Sequence, residues 1–426
     1  MLTRRKFLTS VAHLSTAGWL TGCTADTMAS AEFEKLLVSV LTPLRREKPP
    51  LNEAIKPVTT PLGTPVSQPA EPIPSTTSLP STPSLEIKIG QMLMVGFQGL
   101  SVDENSPIVR AIREQHIGNV VLFDQDVRNG LGQRNIQSAE QVRILTQSLQ
   151  SVATVPMLIA TDQEGGFVNR LKVQYGFQPS FSAQTLGQRN DLAFTQQQAD
   201  LTARQLGDIG INLNLAPVVD LNINSDSPAI GRVERSFSAD PGLVTEHART
   251  FIRAHRNHNI LCTLKHFPGH GSSREDTHFD FTDVTQTWSD LELLPYAALI
   301  TSSDCDVIMT AHIFNANLDT EYPATLSYII LTGILRERLG FRGVVISDDM
   351  QMKAISDHYT FEKAIELAIL AGVDIIALAN NTSSPSDKTT RAVSTILALV
   401  EQGVISTERI DQSYHRIMAL KAKLSS

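Results

Sequence analysis

The chain has 426 residues, of which 42% are hydrophobic and 19% are charged, and its formal net charge is −8 at pH 7. This is the composition of a globular protein, long enough for one large domain or two ordinary ones. The net negative charge and the lack of a basic stripe argue against a nucleic-acid partner. They do not exclude neutral or anionic small molecules as substrates.

The N-terminus has the layout of an export signal. Three basic residues at positions 4–6 precede a short apolar run that is interrupted by His13 and followed by Leu-Thr-Gly-Cys, ending at Cys23. The run is too short to span a bilayer as a helix. Its twin arginines resemble a twin-arginine signal, and Leu-Thr-Gly-Cys resembles a lipoprotein processing box. We expect residues 1–22 to be a lipoprotein signal peptide and Cys23 to be acylated, which would anchor the protein on the periplasmic or cell-surface side of a bacterial membrane. The alternative is an apolar N-terminus with an unmodified cysteine.

Proline, serine and threonine dominate the next segment. Eleven of the 21 prolines lie between Pro43 and Pro83, which is typical of an extended linker that rises about 3 Å per residue. We expect residues 23–84 to form such a linker. It would let a catalytic domain, residues 85–426, stand on the order of 100 Å from its membrane.

From residue 85 onwards, apolar runs rich in valine, isoleucine and leucine alternate with amphipathic helical patterns. Eight runs predict strands, at 89–97, 117–123, 156–162, 211–221, 260–267, 306–313, 343–349 and 374–380. Four of the segments between them that predict helices are 138–150, 243–257, 327–339 and 360–372. Such alternation indicates a parallel sheet covered by helices, and eight runs favour a (β/α)8 TIM barrel. The alternative, a doubly wound sheet, lacks the glycine-rich phosphate loop that it would need. Cys262 and Cys305 lie in or beside these runs, and we expect both to be buried, unpaired thiols.

Polar residues follow five of the eight predicted strands, at the end where a barrel carries its active site. They are Asp162, Asp220, Lys265 with His266, His312, and Asp348 with Asp349. Neighbouring side chains of a strand face opposite sides, so Asp348 and Asp349 cannot both enter one pocket. With Asp348 inward, Asp349 would face neighbouring backbone or cap the next helix. A carboxylate in the pocket would serve as a nucleophile, a general base or a buried structural acid.

The segment after the fifth strand, KHFPGHGSSREDTHFDF, is dense in titratable side chains. Its Pro-Gly turn prevents a continued helix, so His266 and His270 do not share a face as a helical metal pair would. In an extended segment Asp276 and His278 lie on one side, so the carboxylate can accept a hydrogen bond from the imidazole. That bond would orient the ring and raise its basicity, and general acid–base help is worth about 10²–10⁴ in rate.

These motifs resemble glycoside hydrolase family 3, specifically its β-N-acetylhexosaminidase (NagZ-type) branch. The resemblance covers the globular part of the chain from residue 85, and it is carried by KHFPGHG, DTH, SDDM, TDQEGGFVNRL, NLNLAPVVDL, RSFSADP and MTAHI. Phe167 stands where the family often has arginine, and extra residues precede Arg235.

The resemblance implies a retaining hydrolase that removes terminal N-acetylglucosamine from peptidoglycan fragments. We expect the protein to need no cofactor or metal and to be a monomer. Asp348 would be the nucleophile, and His278, paired with Asp276 on a mobile loop, would be the acid and base. Retaining enzymes usually use two carboxylates about 5 Å apart instead. Carried over motif by motif, the sugar contacts would be Asp162, Arg170, Arg235, Lys265 and His266. His270 and Asp220 would brace the site, and His312 would brace it or bind sugar.

Three alternatives remain open from the sequence. One is a β-glucosidase-type hydrolase of the same family, although those enzymes place a carboxylate acid on another domain. A second is a metal-dependent barrel hydrolase that uses His266, His270, His278 and Asp348 as ligands. The third is an inactive lipoprotein that only binds peptidoglycan.

Overall fold

A computed structural model describes residues 83–126, 132–380 and 388–424. The predicted signal peptide, the lipidated Cys23 and almost all of the predicted linker lie outside these residues. Within the described part of the chain, no helix combines the length and the apolar character needed to cross a membrane.

Eight parallel strands form the centre of the fold, and each lies within one of the eight predicted runs. They are β1 (Leu93–Gly96), β2 (Asn119–Val121), β3 (Leu158–Thr161), β4 (Leu213–Asn214), β5 (Leu261–Phe267), β6 (Val307–Thr310), β7 (Val344–Ile346) and β8 (Ile376–Leu378). Neighbours in sequence are neighbours in the sheet, and β8 pairs with β1. Between β7 and β8, Ile346 bridges Ile375 in parallel orientation. The strands therefore form a nearly closed barrel, and the (β/α)8 prediction is confirmed.

Helices cover the barrel. The α-helices α1 to α11 are Leu85–Gln91, Pro107–Glu114, Ala139–Val152, Ala183–Arg189, Leu192–Asp208, Pro241–Arg256, Leu294–Thr301, Lys353–Ser356, Phe361–Ala371, Lys388–Glu401 and Thr407–Ala422. The predicted helix between β6 and β7 is present as a π-helix, Ile329–Arg338. Side chains that accept an amide hydrogen bond cap several helix starts, as Ser138 does for α3 and Asp240 for α6. Each such cap is worth about 1 kcal/mol.

Short elements lie on the loops between the barrel strands. Two-residue and three-residue strands pair as Gln125–Asp126 with Gly132–Gln133, Gln163–Gly165 with Val168–Asn169, and Thr282–Asp283 with Ile313–Phe314. Three 3₁₀-helices are Val173–Tyr175, Asp290–Leu293 and Ala324–Leu326. These elements lie in the loops after β2, β3, β5 and β6.

Every residue of the eight barrel strands is buried. Both faces of each strand are covered, by helices outside and by facing strands inside, which explains why the runs are apolar without alternation. Cys262 in β5 is buried and Cys305, just before β6, is partly exposed, and both are free thiols. The predicted lack of a disulfide between them is confirmed, but Cys305 is less buried than expected because it lies in the loop ahead of its strand.

Candidate active site

The carboxyl ends of β3, β4, β5 and β7 bring the predicted site residues to one mouth of the barrel. Lys265, in β5, lies at the centre of this cluster. Its Nζ is 2.8 Å from Asp162 Oδ1 and 2.6 Å from Glu164 Oε1. Burial lowers the pKa of Lys265, but the negative charges of Asp162 and Glu164 outweigh burial and raise it. The ammonium group therefore stays charged although it is almost completely enclosed.

Arg235 joins this cluster through Glu164. The guanidinium group donates to both carboxylate oxygens of Glu164, at 2.8 Å each, and to His266 Nε2 at 3.1 Å. Burial raises the pKa of Glu164, but the charges of Arg235 and Lys265 dominate and hold that pKa down at about 2. The additional residues before Arg235 in the sequence do not move it out of the site.

Asp220 holds His266 in position through hydrogen bonds. Its Oδ2 is 2.7 Å from His266 Nδ1, and its Oδ1 accepts the backbone amides of His266 and His270 at 3.0 and 2.9 Å. A carboxylate only accepts, so Nδ1 carries the proton and Nε2 is left to accept from Arg235. Asp220 therefore occupies the bracing position expected from the sequence. His266 and Lys265 are neighbours joined by a cis peptide bond, and both side chains reach the pocket.

Arg170 lies at the edge of the same cluster. Its guanidinium nitrogens are 3.4 Å from Asp162 Oδ2 and 3.8 Å from Asp124 Oδ1, and the group lies 5.5 Å above the Phe123 ring. Burial raises the pKa of Asp162, but the charges of Lys265 and Arg170 lower it further. The five residues expected to contact sugar are thus connected to one another by ion pairs and hydrogen bonds.

Asp348 and Asp349 follow β7 and have different surroundings. Asp348 is partly exposed, and its Oδ1 accepts the amide of Asp349 at 2.8 Å. Burial raises the pKa of Asp348, but the nearby imidazoles of His312, His266 and His278 lower it overall. Asp348 is therefore an ionised carboxylate that faces the pocket.

Asp349 is partly exposed like Asp348, but its carboxylate is bound to neighbouring backbone. Its Oδ1 accepts the backbone amides of Ala379 and Gln351, at 3.0 and 3.2 Å, and burial raises its pKa to about 6. Of the two expectations for Asp349, contact with neighbouring backbone is correct. The capping expectation is wrong, because the N-cap of α8 is Met352 and has no side-chain hydrogen bond.

Asp276 and His278 form the expected pair. His278 Nδ1 lies 2.7 Å from Asp276 Oδ1, which also accepts the His278 amide at 3.0 Å. The segment is a turn rather than an extended stretch, because the Asp276 carbonyl accepts the Phe279 amide at 3.0 Å. The side chains meet because the carboxylate folds back over the turn, and not because they lie on one side of a strand.

The contact between Asp276 and His278 favours the protonated form of the His278 imidazole. Desolvation lowers the pKa of His278, but its hydrogen bond to Asp276 and the charge of Asp348 outweigh desolvation and raise it. The pKa of Asp276 is about 2, because the hydrogen bond and charge of His278 overcome the effect of burial. Since Asp276 occupies Nδ1, the Nε2 atom of His278 remains available to a substrate.

Thr277 holds this loop through one contact within the loop and one contact to the helix after Asp348. Thr277 Oγ1 lies 3.3 Å from His270 Nε2, and the Thr277 carbonyl accepts the amide of Ala354 at 3.3 Å. His270 Nδ1 is 2.9 Å from Ser273 Oγ, and burial lowers the pKa of His270 to about 4. His270 is therefore a neutral ring that braces the loop from inside.

His312 is also occupied by protein groups. Its Nδ1 lies 2.8 Å from Thr325 Oγ1 and its Nε2 lies 3.0 Å from the Asp349 carbonyl oxygen. Of the two roles left open for His312, the contacts favour bracing. The site histidines thus have partners other than a metal, and in residues 83–126, 132–380 and 388–424 no group of His, Cys, Asp and Glu side chains has the arrangement of a metal site. The geometry does not support the set of His266, His270, His278 and Asp348 as metal ligands.

Sequence reasoning assigned no role to two buried glutamates. Glu164 lies two residues after Asp162 in the recognised motif, so its position was a usable signal. Glu292 gave no such signal, because its 3₁₀-helix, Asp290–Leu293, has an ordinary acidic helix start. Its side chain is fully buried, and its Oε2 accepts the Gly271 amide at 3.0 Å. A Cβ atom on Gly269 would collide with the Glu292 side chain, so the loop after β5 approaches this glutamate closely.

Comparisons with known proteins identify the family of the chain. A model of the glycosyl hydrolase family 3 N terminal domain matches residues 84–420. The chain is 31% identical to beta-hexosaminidase A of Pseudoalteromonas piscicida, over 79% of this chain and 60% of that protein. It is 34% identical to a beta-hexosaminidase of Xylella fastidiosa strain M23, over 74% of this chain and 92% of that protein.

A solved structure of the same family is also similar to this chain. The structure of a glycoside hydrolase family 3 beta-N-acetylglucosaminidase from Paenibacillus sp. str. FPU-7 matches with a TM-score of 0.74 and 34% identity, over 81% of this chain and 63% of that one. The chain therefore spans less than two thirds of the Pseudoalteromonas and Paenibacillus proteins, and nearly all of the Xylella protein.

Glu292 makes folding stability depend on pH in a defined direction. Burial, followed by the charge of Asp220, raises the pKa of Glu292 from 4.5 to about 8. A pKa raised in the folded state stabilises the fold fully below the unfolded-state value, and that contribution is lost as pH rises through about 8. We expect the free energy of unfolding of the wild type, relative to Glu292→Gln, to fall by on the order of 3 kcal/mol between pH 5 and pH 9.

Urea unfolding of both proteins at several pH values measures this difference. Glu114→Gln, at an exposed position, is the control and should give no such trend. A difference between wild type and Glu292→Gln that stays constant with pH would contradict a buried, protonated Glu292.

Proposed function

The chain belongs to glycosyl hydrolase family 3, as its motifs predicted, and we propose that it is a retaining exo-β-N-acetylglucosaminidase. It removes terminal non-reducing N-acetyl-β-D-glucosamine residues from peptidoglycan fragments during cell-wall turnover. The observation that carries the proposal is the meeting of an ionised Asp348 and the Asp276–His278 pair at one mouth of the barrel. The names of the beta-hexosaminidase and beta-N-acetylglucosaminidase relatives support the choice of sugar.

Asp348 acts as the nucleophile. Its carboxylate attacks the anomeric carbon of the terminal sugar while the bond to the leaving oxygen breaks, which gives a covalent glycosyl-enzyme. Water then displaces Asp348 from the opposite face, and the two inversions together retain the β configuration. The lowered pKa of Asp348 supports this role, because the attacking group must be ionised at neutral pH.

His278 moves the proton in both steps. Its Nε2–H protonates the leaving oxygen in the first step, and the neutral Nε2 then takes a proton from the attacking water. The hydrogen bond from Nδ1 to Asp276 stabilises the imidazolium in each cycle. The raised pKa of His278 supports this assignment, because a larger fraction of the ring is protonated near neutral pH.

The charged cluster holds the sugar. Lys265, Asp162 and Arg170 offer donors and acceptors for sugar hydroxyl groups, and their mutual ion pairs fix their positions before the substrate arrives. Preorganised polar groups of this kind lose little entropy on binding and stabilise the charge that develops on the ring. Arg235 and His266 extend the same surface toward the loop of His278.

We also propose that the protein is exported and anchored by acyl chains on Cys23. The order of basic residues, apolar run and Leu-Thr-Gly-Cys supports this proposal. The proline-rich segment after Cys23 would then give the barrel reach toward the glycan.

Replacing Asp348 tests the nucleophile. We expect Asp348→Ala to lower kcat by about 10⁴-fold or more, because no glycosyl-enzyme can form, while the thermal unfolding midpoint changes little. In the wild type, a mechanism-based fluorosugar should add its mass to the peptide that contains Asp348, as measured by mass spectrometry. Label on another residue, or near-normal activity of the variant, would remove Asp348 from this role.

The choice of sugar is tested on the same preparation. We expect faster turnover of an aryl β-N-acetylglucosaminide than of the matching aryl β-glucoside. The reverse order would favour the β-glucosidase alternative, and binding of N-acetylglucosamine muropeptides without cleavage would favour the inactive lipoprotein.

Replacing His278 tests the acid. We expect His278→Ala to lower kcat/KM by about 10²–10⁴ for chitobiose, whose leaving oxygen needs a proton, and by less than about tenfold for a dinitrophenyl glycoside. Asp276→Ala should shift the alkaline limb of the kcat/KM profile to lower pH, because Asp276 raises the pKa of His278. Equal losses on both substrates would speak against the acid role.

Replacing Cys23 tests the anchor. We expect the wild type, expressed in a bacterium, to incorporate a clickable fatty acid and to sediment with membranes. Cys23→Ser should lose both properties, because no thiol remains to be acylated, whereas Cys305→Ser should keep them. An unlabelled wild type, or a labelled Cys23→Ser variant, would refute the lipoprotein assignment.

A further inference from the structure

Among residues 83–126, 132–380 and 388–424, Phe279 has the most exposed large apolar side chain. Its exposed fraction is 72%, slightly above the 67% of Phe167. A single exposed apolar residue is common on protein surfaces and needs no explanation by itself. Phe279 differs from an ordinary case because it directly follows His278, the residue that protonates the leaving oxygen in the proposed function.

The exposed ring does not result from a loose loop. The Phe279 amide donates to the Asp276 carbonyl at 3.0 Å, which fixes the backbone in the same turn that forms the Asp276–His278 pair. Two residues later, Phe281 packs its ring against Phe314 and His358, with centroid distances of 5.5 and 5.4 Å. The loop therefore packs Phe281 partly against the protein, with 37% of it exposed, and leaves Phe279 far more exposed to solvent.

The position of the Phe279 ring relates it to the leaving group. Its centroid lies 6.3 Å from the centroid of the His278 imidazole, and the two planes are inclined by 48°. This is about the spacing of two aromatic rings in contact. In the proposed reaction the glycosidic oxygen lies at His278, so the first sugar ring of the leaving group begins there and extends over the surface next to it.

We propose that Phe279 forms the binding site for the first pyranose ring of the leaving group, by stacking against the apolar C–H face of that sugar. This assignment rests on the proposed function, because it takes His278 to be the acid. The electron-rich face of an aromatic ring attracts the weakly positive C–H groups of a pyranose, as it attracts other positive groups. Phe279 is thus a specificity-determining residue that favours saccharide leaving groups over small ones.

Two substrates that differ only in the leaving group test the site. Chitobiose releases a pyranose, whereas N-acetyl-β-D-glucosaminyl fluoride releases an ion with no ring and needs no acid. We expect Phe279→Ala to lower kcat/KM on chitobiose roughly tenfold, which is the size expected for one aromatic contact, and to change kcat/KM on the fluoride less than about twofold.

Three further variants identify the cause of the loss. Phe279→Tyr keeps the ring and should retain chitobiose hydrolysis, whereas Phe279→Leu keeps apolar volume without a ring and should resemble Phe279→Ala. Phe167→Ala removes a ring of similar exposure on the hairpin after β3, and its effect should be the same on both substrates.

Each other outcome has a definite meaning. Equal loss on chitobiose and fluoride, or no loss on either, would overturn the assignment of Phe279 to the leaving group. A selective chitobiose loss in Phe167→Ala as large as in Phe279→Ala would also overturn it, in favour of a general apolar rim. Failure of the wild type to hydrolyse the fluoride would instead contradict the proposed function, so the two failures are distinguishable.

Discussion

The rest of the site depends on the ion pairs of Lys265, whose ammonium group is enclosed between the carboxylates of Asp162 and Glu164. Enclosing three charges away from water costs several kcal/mol per ion, and the cost is offset only when each charge has a close partner. Removing one partner from such a cluster typically costs about 3–5 kcal/mol. The ion pairs of the cluster therefore form together, and these mutual contacts keep the polar groups of the pocket in fixed positions.

The charged cluster and the loop that carries His278 are held in place in different ways. Strands β3, β4 and β5 and the loops after them supply the charged cluster, whose members hold one another, while the Asp276–His278 pair is on a loop after β5 that depends on separate contacts. Thr277 connects that loop to His270 on one side and to Ala354 on the other. The charged cluster and the Asp276–His278 pair are thus held in place by two separate sets of contacts.

Patterns within short stretches of sequence predicted most of the fold. Strands buried on both faces must be apolar throughout, so β1 to β8 were readable, and the polar residues after them marked the mouth of the barrel. Contacts between distant segments were not readable. The burial of Glu292 follows from the approach of Gly269 and Gly271, some twenty residues away in sequence, and the turn at Asp276 depends on its own hydrogen bonds rather than on alternation. The two alternatives for Asp349 could not be decided from sequence for the same reason, since one of its partners, the amide of Ala379, belongs to another strand end.

Asp348 and Asp349 show why the assignment of the nucleophile needs the folded structure. They are identical in type and adjacent in sequence, and both are largely desolvated, which raises the pKa of each. Three imidazoles near Asp348 reverse this effect, whereas for Asp349 the backbone amides of Ala379 and Gln351 and the charge of His278 do not outweigh burial, so its pKa stays raised. At neutral pH the carboxylate with the lower pKa is the one that faces the pocket, and it is the better candidate for attack on a sugar. The difference in pKa therefore arises from the partners that the barrel provides and not from the residues themselves.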